Sequence, residues 1–127
     1  MNKITKFGKW LFIIPFAVFG FLHFGPIEFS LPYVPSWLPL PAFWVYFVGI
    51  CLFAFAISAM FGKLDKLASL LLAILMLVFV FTIHIPKAIS GDFVGVIGAT
   101  RDICMAGASL VYGAFIAKDN RFTNLIF

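Results

Sequence analysis

Charged residues fall at a few places along the chain, and between them run stretches of almost unbroken apolar sequence. Trp10–Ile27 holds eighteen uncharged residues, Ala42–Gly62 twenty-one and Leu67–Ile85 nineteen. A helix needs about 20 mostly apolar residues to cross a bilayer, so these three qualify. A fourth stretch, Ile103–Ala117, has fifteen, and it extends an apolar run from Phe93 to Thr100 that only Arg101 and Asp102 interrupt. It reads as a span whose end carries charge. None of the four has a polar face to turn toward water. The pattern therefore predicts an all-α integral membrane four-helix bundle, up-down-up-down. One domain covers residues 1–127, with spans at about 10–27, 42–62, 67–85 and 103–117.

The flanks orient the bundle, because Lys and Arg in short loops resist translocation. Lys3, Lys6, Lys9, Lys63, Lys66, Lys118 and Arg121 fall on one side, and Lys87 and Arg101 on the other. Both termini are expected in the cytoplasm. A cleaved leader is the alternative for the first stretch, but its apolar core exceeds the usual ~7–15 residues and no small-x-small site follows. Pro15 is expected to kink that helix.

Two connections lie on the translocated side. Gly25–Pro41 contains five of the seven prolines, which forbid a continuous helix, and Tyr33, Trp37, Trp44 and Tyr46 lie in or beside it, as amphipathic rings do at lipid headgroups. A compact, ordered hairpin is expected there. Lys87–Arg101, with Gly91, Gly95 and Gly98, is expected to fold back over the bundle as a partial lid. Small residues mark close helix contacts: Ala54, Ser58 and Gly62 on the second helix, and Ser109, Gly113 and Ala117 on the fourth. These faces could equally serve a homo-oligomer.

Composition supports the membrane assignment, with 64% hydrophobic and 11% charged residues against about 25% charged in soluble domains. The net charge of +4 comes from scattered flanking residues and not from a stripe, so no nucleic-acid partner is implied. Cys51 and Cys104 have no metal-binding or CxxC spacing and read as packing residues. No metal site, GxSxG, HExxH or phosphate-cradling loop is present.

The remaining ionisable groups converge. His23 and His84 each end an oily segment on the translocated side, and at ~1.5 Å per residue they differ in depth by roughly 6 Å. Glu28, Lys87, Arg101 and Asp102 share that end. Asp65, in the tight turn among lysines, reads as a solvated charge. For Arg101 and Asp102 one reading is structural: Asp102 near a helix start favours the dipole and Arg101 snorkels to phosphate. The other places both in an outer-face pocket with His23 and His84. The histidines could bond to loop carbonyls or carboxylates. They could also serve a polar-headed lipophile such as a quinone, since imidazole both donates and accepts. Ligating a haem would need facing helices at matched depth.

"FAVFGFLHF", "YVPSWLPLPAFWVYFVGI", "KLASLLLAILML" and "RDICMAGASLVYG" together resemble the DoxX-like small four-helix membrane proteins, across nearly the whole chain. "VPSWLP" and the Arg-Asp pair are the most specific parts. The resemblance implies a bacterial inner-membrane bundle linked to thiosulfate:quinone oxidoreductase subunits and membrane redox assemblies. His23, His84 and Arg101 would then face quinone oxygens, and a redox partner would supply electrons. The family's acidic residue after the second-span glycine is missing, since Gly49 is followed by Ile50, Cys51, Leu52 and Phe53, so no proton or cation site is implied there. The expected function is an auxiliary subunit binding a lipophilic ligand at His23, His84, Arg101 and Asp102, not an enzyme on its own. A structural or chaperone-like membrane partner is the alternative. A transporter comes third, because no span carries the polar row a hydrophilic path needs.

Overall fold

The computed structural model describes residues 1–127 and is all-helical. Helix α1 spans Lys3–Leu22, α2 Pro41–Phe61, α3 Asp65–Phe79, α4 Ile85–Ile89 and α5 Phe93–Phe115. A π-helical segment, Val80–His84, joins α3 to α4, so Asp65–Ile89 forms one continuous rod. Four helical segments are thus long and apolar enough to cross a membrane.

Helix α2 matches its charge-free stretch to within a residue, whereas the other rods begin earlier than theirs, and α1 ends at Leu22, short of Ile27. Helix α1 starts at Lys3 and not at Trp10, because Asn2 accepts the Thr5 N–H at 2.8 Å as an N-cap and lysine is a good helix former. It continues through Pro15. Pro41 opens α2 with its φ already set for a helix. Gly62 ends α2 in the left-handed region at φ +65°, its N–H donating to the Ser58 carbonyl, a conformation glycine adopts without strain. The π segment lies just before Pro86, which has no N–H to offer the Thr82 carbonyl four residues earlier.

The largest correction concerns α5. Its N-cap is Asp92, whose side chain accepts the Val94 N–H at 3.0 Å, so the helix begins at Phe93 and not at Ile103. Gly95 and Gly98 are buried within it and form no lid. The connection is only Ser90–Asp92, turned by Gly91 at φ +94°. The other long connection is ordered as expected. Two 3-10 turns, Ile27–Phe29 and Leu31–Tyr33, lead to a return held by Trp44 Nε1–H donating to the Pro39 carbonyl at 2.9 Å.

Helix α1 packs chiefly on α2, and α3 on α5. Where α1 meets α2, Gly20 and Gly49 allow backbone contact: a Cβ on Gly20 would lie 3.1 Å from the Gly49 carbonyl oxygen. The two pairs meet through rings, with Tyr112 of α5 lying 5.4 Å from Phe12 and 6.2 Å from Phe55 between centroids. Ile13, Leu52, Leu72 and Met76 complete the core. Many large apolar residues, including Phe21, Phe61, Phe81 and Phe115, are exposed. Small and polar residues are buried instead, as expected where lipid is the solvent. Ser109 Oγ donates to the Ser69 carbonyl at 2.7 Å, and Ser69 Oγ donates to the Asp65 carbonyl at 2.6 Å, tying α5 to α3.

Asp65 is not a solvated charge. It is 1% exposed, and its carboxylate accepts the N–H groups of Lys118, at 3.0 Å, and Asp119, at 2.8 Å. In return Asp119 accepts the Leu64 N–H at 2.8 Å and pairs with Arg121 at 2.6 Å. The tail therefore clasps the turn between α2 and α3, satisfying backbone donors that would otherwise be orphaned near a helix end. Phe127 then folds back over Gly113, where a Cβ would lie 3.0 Å from its Cε2.

Candidate functional site around Asp102

Asp102 lies in the middle of α5, not at its start, and is 1% exposed. Its partners are side chains and not the helix dipole. His84 Nε2–H donates to Oδ2 at 2.9 Å, and Arg101 Nε–H donates to Oδ1 at 2.8 Å. A buried carboxylate is tolerated only when its charge and lone pairs are answered, and here the Arg101 guanidinium and the His84 imidazole do so.

The imidazole comes from the π segment and is itself buried, 7% exposed. Its other edge rests on Gly98, where a Cβ would lie 2.6 Å from Cε1 and closer still to Nδ1. Three residues earlier, a Cβ on Gly95 would lie 2.7 Å from the His84 carbonyl oxygen. The two glycines thus form the groove that lets the histidine reach Asp102, one turn further along the same face. Arg101 differs from both partners. Its side chain is 57% exposed, and its terminal amino groups make no hydrogen bond within the chain.

The four residues singled out from sequence are not one cluster. His84, Arg101 and Asp102 come together. His23 forms no hydrogen bond with them; its Nδ1–H donates to the Phe19 carbonyl of its own helix at 2.6 Å, and its Cβ packs over Gly49. The first connection does reach α4, since Lys87 Nζ lies 4.5 Å from the Tyr33 ring centroid, a cation–π contact. Glu28 sits in the first 3-10 turn. Cys51 and Cys104 are free thiols.

Sequence reasoning missed the role of Gly95 and Gly98. The signal was present: Gly95, Gly98, Asp102, Ala106, Ser109 and Gly113 recur at helical spacing and all are buried. No family model matches this chain, and neither a curated protein nor a solved structure does.

Proposed function

We propose that this protein is a DoxX-like auxiliary subunit of a bacterial inner-membrane redox assembly, holding a lipophilic ligand whose polar head accepts hydrogen bonds, a quinone being the candidate. The spans run up-down-up-down with both termini cytoplasmic, which puts the Asp65 clasp on the cytoplasmic side and Asp102 in the translocated half. The observation that carries the reading is the setting of Arg101. It lies eight residues into α5, roughly 12 Å along the helix, on the same face as the exposed apolar Ile97 one turn earlier.

A guanidinium at such depth is costly unless something answers it. Asp102 engages only Nε, leaving the terminal amino groups directed away from the carboxylate and able to donate to a carbonyl oxygen. His84 and Asp102 are the positioning residues. The imidazole holds the carboxylate, and the carboxylate holds the fork. A bound quinone would supply the redox chemistry, with electrons from a partner. This chain's own part is to orient the head and to stabilise negative charge developing on its oxygen.

Gentle purification followed by mass spectrometry of extracted small molecules tests the reading. The wild-type chain is expected to retain a stoichiometric quinone that Arg101→Leu loses and Asp102→Asn weakens, whereas His23→Ala keeps it. Retention indifferent to Arg101, or a copurifying protein with no lipophile at all, would overturn the proposal in favour of a structural partner role.

A further inference from the structure

We propose a second, independent site at the opposite end of the bundle: the trough on α2 lined by Ala54, Ile57, Ser58, Phe61, Lys63 and Leu64 seats one acidic phospholipid. Its acyl chain would lie along the helix and its phosphate on Lys63. The trough is an open groove of about 480 Å³ on the helix surface. It opens on the flank of α2 that faces away from the core, where Ala54, Ile57 and Phe61 are exposed. Ala54 makes the recess, being small beside larger neighbours.

The polar groups of its walls are already occupied. Ser58 Oγ donates to the Lys63 carbonyl, Lys63 N–H donates to the Ser58 carbonyl at 3.1 Å, and Leu64 N–H is held by Asp119. What remains is an apolar channel ending in the Lys63 ammonium, which forms no ion pair within the chain. An acyl chain capped by a phosphate has that shape and sign.

The surrounding charge selects the headgroup. Lys63, Lys66, Lys118 and Arg121 in the turn and tail carry four positive charges against the two negative charges of Asp65 and Asp119. Asp65 is buried against backbone N–H groups, and Asp119 is bound by Leu64 and Arg121. The net field is positive, favouring an acidic lipid over a zwitterionic one whose own ammonium would be repelled. Lysine suits the position because its stem can follow the apolar wall while its head stays at the interface.

Native mass spectrometry of the full chain, released from nanodiscs of equal phosphatidylglycerol and phosphatidylcholine, reads the occupant directly. Wild-type adducts are expected to be mainly phosphatidylglycerol. Lys63→Gln should reduce them about fivefold, Lys63→Arg should preserve them, and Ala54→Phe should remove them although the charge is intact. Lys66→Gln, outside the trough, should have a smaller effect than Lys63→Gln. Equal adducts of both lipids, equal losses at Lys63 and Lys66, or indifference to Ala54→Phe would overturn the site, as would a protein helix crosslinking to position 57 in place of lipid. These variants leave Arg101 untouched, so failure here is separable from failure of the quinone reading.

Discussion

Asp65 and Asp102 are equally buried, each 1% exposed, yet Asp65 is held by the backbone N–H groups of Lys118 and Asp119 while Asp102 is held by the side chains of His84 and Arg101. Backbone donors are fixed by the fold and cannot change partners, so the Asp65 end acts as a fastening. Side-chain donors can rotate, be replaced or share themselves with a third group. The Asp102 end is therefore where a ligand could be admitted, and the half-exposed Arg101 is the donor with capacity to spare.

The comparison breaks most clearly at Asp65. Asp65→Ala removes a charged acceptor from two backbone N–H groups, and at about 1.5–3 kcal/mol for each hydrogen bond to a charged group the loss should be about 3–6 kcal/mol. Unfolding in detergent should show it, with the tail becoming cleavable by trypsin at Arg121. The next effect is at Gly98. Gly98→Ala places a methyl against the imidazole, and overpacking of this kind costs about 2 kcal/mol. His84 should swing away from Asp102, visible in the imidazole NMR resonances, while trypsin still spares Arg121.

The smallest effect concerns acidity. The hydrogen bond from Arg121, then those from the Leu64 and Arg121 backbone N–H groups, hold the Asp119 carboxyl well below the usual carboxylate range. A depressed folded-state value means that its contribution is fully present above the ordinary carboxylate value of about 4 and is lost only as pH falls through the lower folded value. Solvent protection of the tail, followed by hydrogen exchange, should thus be flat from pH 7 to pH 5. A release of the tail within that window would show that Asp119 is not the fastener.

The number of helices was legible because lipid as solvent demands long apolar runs, and Trp10–Ile27, Ala42–Gly62 and Leu67–Ile85 declare themselves. Their ends were less legible. Lys3, Lys6 and Lys9 read as flank in the sequence, although a helix accepts lysine readily once Asn2 caps it. Arg101 and Asp102 read as a boundary, although a buried partner on another helical segment lets a carboxylate sit mid-span. The pairing of His84 with Asp102 is within reach of the sequence, since both fall at the same end of the bundle. Asp65 was not: its partners, Lys118 and Asp119, lie more than fifty residues away, and capping across that separation leaves no local pattern. Gly95 and Gly98 were legible in principle, but glycine signals both loop and close packing, and only their phase with Asp102 distinguishes the two.

The π-helical turn at Val80–His84 has a consequence for how this chain could tolerate changes of length. Such a turn holds one residue more than the α-helix it interrupts, so the rod from Asp65 to Ile89 carries a single unit of slack just ahead of Pro86. Loss of one residue among Phe81–Ile83 could be absorbed by tightening the turn, with both flanks still in phase. Loss of one residue between Leu70 and Leu75 has no such reserve. It would twist everything beyond it by about 100°, carrying the imidazole from its groove out toward hydrocarbon.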